Sequence, residues 1–235
     1  MSGRAQELAD RLAAVRGRIG AAERACGRPP GGVRLVVVTK FFPASDVRLL
    51  AGLGVEDVGE SRDQEAAAKA AECAGLGLRW HFVGQVQTNK ARSVARYADA
   101  VHSLDRLRLV GPLGRAATGA GRQVGCFVQV CLDAAAPGAS GRGGAAPDDV
   151  PALADAVAGT AGLRLLGVMA VAPLGEEPDR AFARLRALAE RVRGDHPGAV
   201  EVSAGMSGDL EQAVAHGATL VRVGGAILGP RPAAR

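Results

Sequence analysis

Apolar positions fall into short runs separated by amphipathic stretches, and this alternation repeats along nearly the whole chain. Leu8, Leu12, Val15 and Ile19 recur at helical spacing with charges between them. They predict a first helix ending near Gly27, ahead of the breakers Pro29-Pro30-Gly31-Gly32. Residues 33–39 (VRLVVVT) form the clearest strand, followed by a helix over 44–53 that Pro43 opens. A strand at 55–59 leads into an Ala-rich helix over 62–73. The pattern continues with a strand at 78–84, a helix at 88–97, a strand at 100–104 and a helix from Asp105 to about 117. A fifth strand spans 124–132. The Gly-, Ala- and Pro-rich stretch 134–147 reads as a mobile surface loop before a helix at 148–158. Strands at 163–172, 200–203 and 219–224, with helices at 179–193 and 208–216, complete eight strand–helix units.

Eight such units with short connections predict an α/β fold: one (β/α)8 TIM-type barrel with an extra N-terminal helix. The domain is expected to span 1–235, with residues 1–32 as a helix and linker packed on the barrel. No linker-like tract divides the chain. Aromatic residues are 3% of a chain that is 48% hydrophobic, so aliphatic side chains must fill the interior, as suits a parallel sheet covered on both faces.

The formal charge of +5 raises the question of nucleic acid. The arginines alternate with carboxylates along helices, as around Arg180, Arg184 and Arg186, and no basic run interleaves with aromatics. The charge therefore reads as solvated helix faces, and no nucleic-acid partner is expected. No apolar run approaches spanning length and the start lacks a signal-peptide core, so a cytoplasmic protein without membrane contact is expected. Cys26, Cys73, Cys126 and Cys131 show no C-x-x-C pair, which argues for reduced thiols and against zinc.

Lysine usage carries more. The chain's lysines are Lys40, Lys69 and Lys90, against an arginine background, so each one raises the question of a required amine. Guanidinium forms no imine, whereas a deprotonated lysine attacks a carbonyl. Lys40 ends the first strand, at the mouth where barrels place their chemistry, and Phe41 and Phe42 beside it would lower its pKa by desolvation. Lys69 reads as solvated and Lys90 as a surface charge at a helix start. Trp80 and His81, mid-strand, read as packing residues.

Barrels often grip phosphate with the loops after strands seven and eight. Here those loops are Ser203-Ala-Gly205-Met-Ser207-Gly208-Asp209 and Arg222-Val-Gly224-Gly225-Ala226. Closure puts strand eight beside strand one and brings Lys40 to this rim. A lysine imine beside a phosphate cup suits pyridoxal phosphate, and equally a Schiff-base aldolase acting on a sugar phosphate.

The segments LVVVTK (35–40) with Pro43, Val58-Gly-Glu60 with Gln64-Glu65, WHFVG (80–84) with QTNK (87–90), Gly167-Val-Met-Ala170, GMSGD (205–209) and VRVG (221–224) with AILG (226–229) carry a resemblance. They resemble the pyridoxal phosphate homeostasis proteins, stand-alone relatives of the alanine racemase barrel. The resemblance implies that Lys40 holds pyridoxal 5′-phosphate as a Schiff base. It implies that Ser207, Gly224 and Gly225 hold the phosphate, that Arg222 lies near the pyridine ring, and that Ser61 and Met169 lie near the cofactor. The family usually has asparagine where this chain has Ser61 and threonine where it has Gly225.

A racemase of this type needs a second base, a tyrosine supplied by another domain. The single tyrosine, Tyr97, sits on the third barrel helix in this reading, and no room for a further domain is expected after residue 231. An arginine facing the pyridine nitrogen would also weaken the ring as an electron sink. The expectation is a non-enzymatic carrier active in cofactor homeostasis, monomeric, passing cofactor to apo-enzymes. The alternative is a pyridoxal-phosphate-dependent racemase or Schiff-base lyase of low activity.

Overall fold

The structure, a computed structural model, describes residues 3–133 and 143–231. Eight parallel strands close into a barrel in chain order: β1 (Arg34–Val38), β2 (Asp57–Glu60), β3 (Arg79–Phe82), β4 (Ala100–Leu104), β5 (Val124–Gln129), β6 (Leu163–Met169), β7 (Glu201–Ser203) and β8 (Leu220–Val223). Closure comes from β8 pairing with β1, with Leu35 opposite Val221 and Val37 opposite Val223.

The helices are α1 (Gly3–Ala25), α2 (Ala44–Gly52), α3 (Asp63–Glu72), α4 (Ala91–Tyr97), α5 (Leu107–Gly119), α6 (Val150–Ala158), α7 (Pro178–Asp195), α8 (Leu210–Ala215) and α9 (Gly225–Leu228). The eight strand–helix units and the extra first helix are as the pattern predicts. The long apolar runs overshoot: β5 stops at Gln129 and β6 at Met169, because their last residues leave the ladder to build the mouth. The four-residue α9 stands where the sequence indicates only a glycine rim. Of the stretch 134–147, residues 134–142 lie outside the described residues. Beyond them Ala145 bridges to Val130, and a 3-10 turn at Pro147–Asp149 opens α6.

Apolar residues form two large clusters between sheet and helices, and a small one inside the barrel made of Val36, Ala100, Phe127, Leu166, Met169 and Leu220. Helix α1 buries Leu8, Leu12, Val15 and Ile19, each such side chain contributing about 1.5–3 kcal/mol by leaving water. Arg4 locks it to α2 through Asp46 at 2.6 Å, and Arg18 locks it to α8 through Glu211 at 2.7 Å. The buried Glu23 carboxylate then accepts the N–H groups of Gly31 and Val33, which leads the chain into β1. No described helix is long and apolar enough to cross a membrane.

Candidate cofactor site at the barrel mouth

The VVV run of β1 carries the chain through the barrel wall, and Thr39-Lys40-Phe41 turns out of it at the mouth. Phe41 has φ of 72°, the one left-handed residue other than glycine among those described. Such a conformation costs a branched or aromatic residue roughly 1–2 kcal/mol. The turn is held in place from α3. The Lys69 ammonium donates to the Thr39 carbonyl at 2.9 Å, and Glu65 accepts the Phe41 N–H at 2.6 Å. The Thr39 hydroxyl donates to Glu60 at 2.6 Å, and Lys69 also reaches Glu60 at 2.8 Å and Glu65 at 2.6 Å.

Lys69 is therefore a correction to the sequence reading: it is 6% exposed and fully paired, not solvated. Its position three residues after buried Ala66 places it on the inward face of α3, where carboxylates already wait. Burial raises the Glu60 pKa against the opposing bonds from Lys69 and Thr39. The Glu60 Oε2 atom is buried with no hydrogen-bond partner.

Lys40 is half-buried, and burial, followed by the nearby Arg231 charge, lowers its pKa, with Glu60 opposing and Arg62 adding. The Phe41 ring lies under three cations: Arg231 at 4.8 Å, Arg62 at 4.9 Å and Lys40 at 5.8 Å from its centre.

Lys40, Ser207, Arg222, Gly224 and Gly225 line one cavity of about 260 Å³, together with Val38, Phe41, Phe42, Met206, Gly229 and Arg231. Five of the seven site residues singled out from the sequence thus converge. A Cβ on Gly224 would meet the Val38 carbonyl oxygen at 2.9 Å, so the strand-end backbones pass too closely for any side chain there. A Cβ on Gly225 would meet nothing within 4 Å. Ile227 and Leu228 of α9 both donate to the Gly224 carbonyl at 2.9 Å, and the Gly225 and Ala226 N–H groups open the helix at this rim. On the other rim Gly205 takes φ of 90° and the Met206 N–H bonds to Asp209 at 2.6 Å, which shapes the loop carrying Ser207.

Arg222 is 5% exposed. It donates to the Ser203 hydroxyl at 2.6 Å and to the Ala170 carbonyl at 2.9 Å, and burial lowers its pKa to about 10.

Two sequence-derived residues are not in the cavity lining. Ser61 follows β2, its carbonyl pressed against Gly84, where an added Cβ would lie 2.1 Å away. Met169 is 2% exposed, inside the barrel wall. Lys90 pairs with Asp63 at 3.7 Å, and the Tyr97 hydroxyl also meets Asp63, at 3.4 Å. Neither lines the cavity with Lys40. Arg231 escaped the sequence reading because nothing in its spacing marks it; Phe42 and Met206 lay within quoted stretches, and their place in the cavity lining shows only in three dimensions. Glu65 lay within a quoted motif, and its acceptor role shows only in three dimensions.

The alanine racemase N-terminal domain family model matches residues 11–232. A pyridoxal phosphate homeostasis protein of Mycobacterium tuberculosis is 47% identical over 97% of this chain and 94% of its own length. One from Escherichia coli is 35% identical over 96% and 97%. Among solved structures, PipY of Synechococcus elongatus with pyridoxal phosphate bound superposes with a TM-score of 0.81 at 34% identity, over 94% of this chain and all of that one. Alanine racemase from Corynebacterium glutamicum shares the fold, with a TM-score of 0.70 at 14% identity over 62% of its chain. The chain belongs to the pyridoxal phosphate homeostasis proteins, within the alanine racemase N-terminal domain family.

Proposed function

We propose that this protein binds pyridoxal 5′-phosphate at the barrel mouth as a Schiff base on Lys40, and that it stores and hands over the cofactor without robust turnover. The observation that carries this reading is a half-buried amine of lowered pKa opening on the same 260 Å³ cavity as Ser207, Gly224 and Gly225. The donor set fits the group: a neutral amine for an aldehyde, a hydroxyl and backbone N–H groups for a phosphate, and a buried guanidinium for a ring nitrogen. When bound, the group would supply an aldehyde carbon with which the neutral Lys40 amine could form a reversible C=N link, releasing water.

The protein's own work is positional. Lys69 and Glu65 fix the peptides on either side of Lys40, and burial among the Arg231 and Arg62 charges favours the neutral amine. Ser207 and the Gly224–Gly225 backbone hold the anion, and Arg222 takes the ring edge. Ser61, just after β2, and Met169, at the end of β6, would lie near the cofactor.

The carrier role is supported by the names of the 35–47% identical relatives and by Tyr97, whose hydroxyl is engaged with Asp63 instead of facing Lys40. Transfer to pyridoxal-phosphate-dependent apo-enzymes by a monomer completes the proposal. Borohydride reduction of the loaded protein, followed by peptide mass spectrometry, should place the cofactor on Lys40, and Lys40→Ala should carry none. Modification only at other lysines, or none at all, overturns the reading. Solvent-deuterium incorporation into amino acids would instead identify turnover.

A further inference from the structure

Five buried polar side chains inside the barrel form one unbroken hydrogen-bonded chain, from the strand starts to the mouth. Asp57 Oδ1 meets His81 Nε2 at 2.8 Å, and His81 Nδ1 meets His102 Nε2 at 2.8 Å. His102 Nδ1 meets Ser203 Oγ at 2.9 Å, and Ser203 Oγ accepts from Arg222 at 2.6 Å. The residues come from β2, β3, β4, β7 and β8, so the chain crosses the barrel interior between His102 and Ser203. None is more than 5% exposed. At the far end Arg79 clamps Asp57 through both carboxylate oxygens at 2.7 Å. At the mouth end Arg222 has no carboxylate within 4.0 Å among the described residues.

We propose that Asp57 is a positioning residue for Arg222: it orients that buried guanidinium across the barrel, through an unbroken chain of hydrogen bonds.

With both imidazoles neutral, the carboxylate end dictates the order. Asp57 only accepts, so the His81 proton sits on Nε2 and His81 Nδ1 carries a lone pair. That lone pair accepts from His102 Nε2–H, which leaves His102 Nδ1 as an acceptor. Ser203 then directs its O–H to His102 Nδ1 while its oxygen accepts from Arg222. Reversing both histidines would set a lone pair of His81 against the carboxylate at 2.8 Å, so the reversed order needs an extra proton. Burial, with the nearby Arg222 and Arg34 charges adding, pushes the His102 imidazole well below its usual range and keeps that ring neutral.

Bonds of one polarity reinforce each other at low dielectric. A buried guanidinium without an adjacent counter-charge is costly, and the hydrogen bonds that accept from Arg222 offset part of that cost. The second Arg222 bond, to the Ala170 carbonyl, fixes the plane of the guanidinium.

The last step, from Arg222 to a bound ring, rests on the cofactor reading above. The test separates the two. Nitrogen-15 NMR of the cofactor-free protein at neutral pH should show His81 and His102 both neutral and protonated at Nε2. An Nδ1–H tautomer or an imidazolium at either residue overturns the proposal. Ser203→Ala should weaken pyridoxal phosphate binding about tenfold, the scale of one hydrogen bond to a charged group, and Ser203→Thr, which keeps the hydroxyl, should restore it. Asp57→Asn should weaken binding to a similar extent and add little on top of Ser203→Ala, as residues acting as a unit do. Unchanged affinity in Ser203→Ala, or fully additive losses, sinks the positioning role. If Asp57→Asn does not fold, the tautomers and the Ser203 pair still decide. If Lys40 takes up no cofactor, the carrier reading fails while the tautomer result stands.

Discussion

Lys69 donates to the carbonyl oxygen of Thr39 at 2.9 Å, one peptide before Lys40, so a lysine on a helix holds the backbone that presents the reactive one. The same ammonium compensates the buried Glu60.

Lys69→Met should therefore strand the Glu60 carboxylate without its counter-charge. Breaking a buried pair from one side costs about 3–5 kcal/mol. The urea midpoint should fall accordingly, and cofactor uptake should weaken as the Thr39–Phe41 turn loosens. Adding Glu60→Gln should recover part of the stability. A Lys69→Met protein with parental stability would show that the pair is not coupled.

The pH dependence of cofactor uptake should report Lys40. Its ammonium must lose a proton before nitrogen attacks, so the rate rises with pH. Because burial and Arg231 lower the Lys40 pKa, the rise should be centred below the ordinary lysine value of about 10.4. Arg231→Gln removes one of the lowering charges and should move the profile to higher pH. Stopped-flow absorbance across a pH series measures both.

Acid stability should depend on Asp57. Burial alone would raise its pKa, but the hydrogen bonds from Arg79 and His81 outweigh this and hold it well below the usual carboxylate range. A folded pKa below the unfolded one means stability that is fully present above about pH 4 and lost as pH falls further. Asp57→Asn should flatten that acid limb, as read by chemical unfolding at a series of pH values.

Gly225 offers a gain of function. A Cβ there has open space, whereas one on Gly224 would strike the Val38 carbonyl oxygen at 2.9 Å. Gly225→Thr adds a hydroxyl to the phosphate rim and should tighten cofactor binding several-fold, about 1 kcal/mol for one hydrogen bond. Gly224→Ala should weaken binding and lower the melting temperature. Equilibrium dialysis and a thermal melt of the two variants distinguish these outcomes.

The barrel was legible because parallel strands buried on both faces must be apolar runs, and the helices between them must be amphipathic. Lys40, Ser207, Arg222, Gly224 and Gly225 were legible because barrels concentrate chemistry at strand ends, which can be counted along the chain. The roles of Lys69 and His81 were not. A lysine in an Ala-rich helix and a histidine in a strand carry no periodic signal to show which way they face or what waits there.

Local pattern alone determined the eight-strand repeat, the covering first helix, and a lysine and a glycine-lined rim brought together by closure. Only the tertiary structure decided that Lys69 lies buried against Glu60, that Phe41 takes a left-handed turn, and that Asp57 connects with Arg222 across the interior. Those relationships join residues up to 165 positions apart, from Asp57 to Arg222. Their energy comes from excluding water around paired polar groups, a condition that exists only once the barrel has closed.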